Sequence, residues 1–208
     1  MSDTKLTSLQ SEDLLKEKSL WAVYKLSWKL PKPYFLLVTI TIFCVSLFTF
    51  ALLSNISHQV LLGYIREILD LGISFSTSIL GFLIAGFTIF ATLTDRKLFV
   101  KLARLINPDT KLPWLKHLFI VFMHTFTHFV SFLSLSIFLK LTTQTNGIFS
   151  WLLYHYATRP FEIKSFLLAF TFGILSAWLF YLTLLLARFV FNIYHACMLT
   201  IAVSGEEL

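Results

Sequence analysis

Residues Tyr34–Leu53, 72–94, 118–139 and 166–187 contain no Asp, Glu, Lys or Arg. Crossing a hydrocarbon core of roughly 30 Å takes about 20 apolar residues as a helix, and each of these runs is long enough. A membrane β-barrel would instead show short segments alternating in and out, and these runs do not alternate. Helices are the remaining solution, because in lipid every backbone N–H and C=O must be paired within the spanning structure. The sequence therefore predicts an all-α, four-helix transmembrane bundle. Composition agrees: 57% of residues are hydrophobic, 13% are charged and 23 are Phe, whereas a soluble domain is about a quarter charged.

The expected organisation is one four-span membrane domain over residues 1–208, with a cytoplasmic or interfacial segment at 1–33 and a tail at 188–208. The N-terminal region carries Glu12, Asp13 and Glu17 ahead of a late apolar run, which is not the pattern of a cleavable signal peptide. Orientation follows from the basic residues. Lys5, Lys16, Lys18, Lys25, Lys29 and Lys32 precede the first span, and Arg96, Lys97, Lys101, Arg104, Lys111 and Lys116 fill the loop between spans two and three. The first loop has Arg66, and the third has Arg159 with Lys140 and Lys164 at its edges. The positive-inside rule then places both termini and the middle loop in the cytoplasm, as expected for a multi-pass protein of a bacterial inner membrane. Trp21, Trp28 and Trp114 fall at the inner interface and Trp151 at the outer one, where tryptophan is enriched. The net charge of +6 flanks apolar spans, which points to anionic lipid and not to nucleic acid.

Three pieces outside the spans are readable. Residues 11–30 have helix-forming composition with tryptophan and lysine on one face, which suits an interfacial segment feeding span one. Residues 57–70 repeat Val60, Leu61, Tyr64, Ile65, Ile68 and Leu69 at helical period, predicting a short amphipathic helix on the outer surface. Beyond Arg188 no helix breaker occurs up to Val203, so the last helix should extend into the cytoplasm.

Placing successive residues 100° apart gathers Ser74, Thr77, Gly81, Ala85, Thr88 and Thr92 into one stripe on span two. Such a face either lets helices approach closely or lines a pore. On span three, His117, His124 and His128 share a face with Ser131 beyond them. Ionisable residues in a membrane are costly and count as site candidates. Here they fit a neutral hydrogen bond to a neighbouring helix, a protonation relay, or a metal or haem site; the last lacks a supporting carboxylate in the spans. Tyr181, Arg188, Asn192 and His195 make a stripe at the inner end of span four, suited to packing at the interface. Asp95 ends span two and Arg188 ends span four, which predicts a charge pair at the inner edge. Arg96, Lys97, Lys101 and Arg104 form a candidate docking surface for lipid or for a cytoplasmic partner.

No serine elbow, glycine-rich phosphate loop or cysteine–histidine arrangement is present, so no enzyme activity, metal or cofactor is expected. Cys44 and Cys197 are far apart in apolar sequence, and a disulfide framework is not indicated.

Residues 79–99, ILGFLIAGFTIFATLTDRKLF, resemble a span of small bacterial four-helix membrane proteins. Size, span number and cytoplasmic termini are also similar to those of the membrane subunit (KwaA) of Kiwa-type phage-defence systems. That resemblance implies a homo-oligomer working with a cytoplasmic DNA-binding partner (KwaB), and carries over no functional residues. The reading is a non-enzymatic oligomeric sensor or anchor in antiphage defence, bound by membrane lipids and a cytoplasmic protein, without direct nucleic-acid binding. The alternatives are an ion or small-solute channel lined by span two, and a haem- or metal-binding membrane protein using the span-three histidines.

Overall fold

The computed structural model describes residues 19–27, 34–54, 56–93, 96–108, 110–143 and 160–205. Six helices follow in order among them: α1 (Leu20–Ser27), α2 (Tyr34–Leu53), α3 (His58–Leu93), α4 (Arg96–Arg104), α5 (Trp114–Thr142) and α6 (Pro160–Gly205). Helices α2, α3, α5 and α6 are each long and apolar enough to cross a membrane. The chain is an all-α, multi-pass membrane protein. Exposed large apolar residues such as Phe35, Leu53, Ile42 and Phe82 lie on these four helices, where acyl chains replace water as their surroundings.

Two compact units divide the chain. The first contains α1, α4, the last part of α3 from Leu83, the first half of α5 and the end of α6 from Leu185. The second contains α2 and the remaining parts of α3, α5 and α6.

In the second unit, α3 buries Leu61, Ile65 and Leu69, a spacing of four that keeps one face inward. The same face continues to Gly72 and Ser76, both buried. For that reason the amphipathic stretch at 57–70 is not the separate surface helix that its sequence suggests. It is helical, but it forms the first turns of the 36-residue α3, because the buried face continues through Gly72 without a shift. Gly72 sits against the ring of Phe132, which is fully buried and edge-on to Trp178 at 5.5 Å. Phe75 meets Phe129 at 5.7 Å, completing the α3–α5 contact. Gly173 brings α6 close to α2, where an added Cβ would stand 3.2 Å from the Cys44 carbonyl oxygen. Phe43 on Phe180 and Phe48 on Phe166 extend that contact along α2. Ser76 and Ser136 are fully buried, and their hydroxyls have no hydrogen-bond partner among the described residues.

The ends of this unit are tied by charge. Arg66 Nη2 donates to the Thr143 carbonyl at 3.0 Å, which supplies a cation to orphan acceptors at the end of α5. Lys140 of α5 pairs with Asp70 of α3, both about half exposed.

In the first unit, α4 buries Leu102 and leads into a closed hairpin. Asn107 N–H donates to the Leu112 carbonyl, Lys111 N–H to that of Asn107, and Trp114 N–H to that of Leu105, each at 2.8 Å. Asn107 is buried, and its Oδ1 accepts the Thr110 N–H at 3.3 Å. Lys111 adopts a positive φ of 55°, the left-handed conformation that lets the loop turn back. Helix α6 runs 46 residues without interruption to Gly205, as the lack of a breaker after Arg188 requires.

Candidate functional site

His124 is the most deeply placed titratable residue of the sequence-derived set. It is 7% exposed and lies in the first unit, on the part of α5 that faces α1. Ser19 caps the start of α1, accepting the Ala22 N–H at 3.2 Å, and the helix delivers Tyr24 and Ser27 onto His124. The Tyr24 ring stacks on the imidazole at 6.4 Å. Ser27 Oγ lies 2.9 Å from His124 Nδ1 and 2.6 Å from the Tyr24 carbonyl. A hydroxyl has one proton, and a carbonyl can only accept it. Both contacts are satisfied together only when Nδ1 carries a hydrogen and donates to Ser27 Oγ. The arrangement holds α1 on α5 and fixes the tautomer of a buried imidazole.

Each of the other histidines on that face has a different ring neighbour. His117 meets Trp114 at 5.8 Å within α5. His128 belongs to the second unit, where it stands edge-on to Tyr181 at 5.1 Å. Ser131 is exposed. Among the described residues no three of His, Cys, Asp or Glu come together to hold a metal ion, and a shared face on one helix does not assemble a ligand set. Of the span-four stripe, Tyr181 touches His128, Asn192 lines a cleft described below, and His195 lies 6.1 Å from Trp114.

The small-residue stripe of α3 is exposed among the described residues. Ser74, Thr77, Gly81, Ala85, Thr88 and Thr92 are all exposed, and a Cβ added at Gly81 would meet nothing within 4 Å. Among the described residues the stripe is left uncovered. The inward face is the one formed by Leu61, Ile65, Leu69 and Leu83. Thr77, Thr88 and Thr92 donate their hydroxyl protons to the carbonyls of Ile73, Ile84 and Thr88 on their own helix, which keeps them satisfied without a neighbour.

The first unit also contains an open cleft with about 610 Å³ of atom-free space. Its wall is a phenylalanine cluster: Phe87 stacks on Phe122 at 4.7 Å and meets Phe119 at 5.7 Å, and Phe122 lies 6.1 Å from Phe189. Gly86, Asn192 and Cys197 complete it. Cys197 is an exposed free thiol.

Lys101 is half-buried and Arg104 exposed on α4, while Arg96 and Lys97 occupy its first turn. Arg188 is exposed on α6. Its expected partner Asp95, like Trp28 and Trp151, lies outside the described residues. Sequence reasoning missed Tyr24, Ser27 and the cleft. The signal for the cleft was available in the phenylalanines at i, i+3 on α5, Phe119 and Phe122; contacts across 97 residues, such as Ser27 with His124, left none.

No family model, curated protein or solved structure matches this chain.

Proposed function

We propose that the chain is an oligomeric subunit of a bacterial inner membrane that senses or anchors for a cytoplasmic protein partner, in a phage-defence system of the Kiwa kind. The observation that carries this reading is the exposed stripe of α3. Small residues on one face allow close backbone approach between membrane helices, and this face is exposed among the described residues, with nothing within 4 Å of a Cβ added at Gly81. A second copy is the occupant that fits it. The topology follows from the Lys/Arg asymmetry, with both termini and the loop bearing α4 in the cytoplasm. Lys101, Arg104 and Lys111 then offer a cationic surface, on a hairpin braced by its own hydrogen bonds, to a partner or to lipid. The phage-defence assignment rests on the resemblance of residues 79–99 and of the four-span plan.

Gly81→Ile tests the assembly directly. A Cβ added there meets nothing within 4 Å among the described residues, so a loss of oligomer mass in detergent reports a contact between copies. Unchanged mass by light scattering sinks the oligomer reading. Reporter fusions after Lys111 and Leu208 should report cytoplasm, and fusions at Ser57 and Asn146 the outside. A pore is the second reading, favoured by the hydroxyls of Ser74, Thr77, Thr88 and Thr92 standing on the same exposed face; ion flux from protein-containing liposomes separates it from an anchor.

A further inference from the structure

We infer that the base of the hairpin between α4 and α5 is a lipid-facing anchor, with Ile106 seated in the headgroup layer of the bilayer. Among the described residues, the large apolar side chains exposed outside the four long helices are Trp21, Val100, Leu105 and Ile106. All but Trp21 belong to α4 and the hairpin that follows it, and Ile106 is 66% exposed. A single exposed isoleucine on a water-facing loop would carry no meaning. The depth of this one gives it meaning.

Backbone contacts set that depth. Ile106 pairs with Pro113 in an antiparallel bridge, and the Leu105 carbonyl accepts the N–H of Trp114, the first residue of α5. Pro113 is itself joined to that helix, its carbonyl accepting the His117 N–H at 2.9 Å. The charge-free run of α5 begins at Leu118. From Pro113 to Leu118 is about 8 Å along an upright helix, at 1.5 Å per residue, and less in depth along a tilted one. A bilayer of about 40–45 Å with a hydrocarbon core of about 30 Å has a headgroup layer of roughly 5–8 Å on each face. Ile106 therefore stands within that layer or at its outer edge. A soluble protein would have to reach between headgroups to cover it, so lipid is the occupant that this depth favours. The hairpin holds the side chain there: its backbone bonds and the left-handed Lys111 brace it, so Ile106 loses little freedom when lipid closes around it. The turn with Thr110 and Lys111 lies at the opposite end of the hairpin from Trp114; Asp109, in that turn, lies outside the described residues. An apolar base in the interface with a polar end toward water is how a surface-bound segment sits on a membrane. The depth is the same on either side of the membrane and for any number of copies, so it depends neither on the topology nor on the oligomer proposed above.

A fluorophore at position 106 tests the anchor. Full-length Cys44→Ala/Cys197→Ala protein carrying Ile106→Cys is labelled with a nitrobenzoxadiazole maleimide and placed in phosphatidylcholine nanodiscs. Ile106 is exposed, so its replacement removes no buried contact. Emission should shift to the blue of the same label on free cysteine in buffer. A nitroxide attached to the lipid headgroup should quench it, and iodide in the water should quench it less than it quenches the free label. Val130→Cys, an exposed position within the charge-free run of α5, should instead be quenched by a nitroxide carried mid-way along the acyl chain, which shows that the same preparation reports depth. Full iodide quenching at position 106 with no effect of nitroxide lipid puts Ile106 in water and overturns the anchor. Protection from both quenchers means that protein covers Ile106, from this chain or another, and overturns it equally.

Discussion

An alanine Cβ at position 72 would stand 2.5 Å from Cε1 and 3.0 Å from Cζ of Phe132. Carbon atoms in contact prefer about 3.5–4.0 Å, so the ring or the helix must yield by about 1 Å. Phe132 has little room to do so, being fully buried and edge-on to Trp178. Overpacking of this kind costs about 1–3 kcal/mol, and the rigid ring puts Gly72→Ala in the upper part of that range. Alanine recovers about 1 kcal/mol through its better helix propensity. The net loss is about 1–2 kcal/mol, equivalent to a fall of roughly 2–8 °C in Tm for a chain of this size. Gly63→Ala lies on the same helix with nothing within 4 Å and should hold or raise Tm. Adding Phe132→Leu to Gly72→Ala should recover part of the loss. The assay is tryptophan fluorescence during heating in detergent. A Gly72→Ala protein as stable as Gly63→Ala would refute the close α3–α5 contact.

Ser27→Ala should strand the buried Nδ1–H of His124, at a cost of about 1–3 kcal/mol. His124→Phe keeps the stacking on Tyr24 and removes that need, so thermal unfolding of the double variant should show a smaller loss than the two single losses summed; strict additivity would mean that the residues do not interact. Ser76→Ala and Ser136→Ala each remove a buried hydroxyl that has no hydrogen-bond partner among the described residues, and each should raise stability by about 1 kcal/mol, read as an increase in Tm. A fall in both would mean that these hydroxyls are satisfied in the membrane.

The four spans were legible because length and the absence of charge are decided by each segment alone. The continuity of α3 through Leu71–Gly72 was not. A mid-chain glycine beside Asp70 reads as an end, yet here it is the residue that admits Phe132. The stripe from Ser74 to Thr92 was legible as a stripe, but not the direction it faces. Small residues serve equally well against a neighbour of the same chain or of another, and it took the burial of Leu61, Ile65 and Leu69 on another face to leave this one exposed among the described residues. The histidines of α5 show the limit of periodicity. A face shared by His117, His124 and His128 passes different neighbours at different heights, so their ring partners, Trp114, Tyr24 and Tyr181, could not be named from spacing.

The threonines of α3 have already given away their protons. Thr77, Thr88 and Thr92 each donate to a carbonyl of their own helix, and a hydroxyl has one hydrogen to give. What they present outward is therefore oxygen lone pairs alone. A neighbour that meets this face with further threonines in the same state sets acceptor against acceptor. It gains contact there but no hydrogen bond, unless one of the pair first releases its own carbonyl. A neighbour bearing donors, or a cation shedding its water, finds the face ready without rearrangement, and an anion finds it unwelcoming. The direction of three hydroxyl protons thus gives α3 a sign preference that its uncharged composition hides.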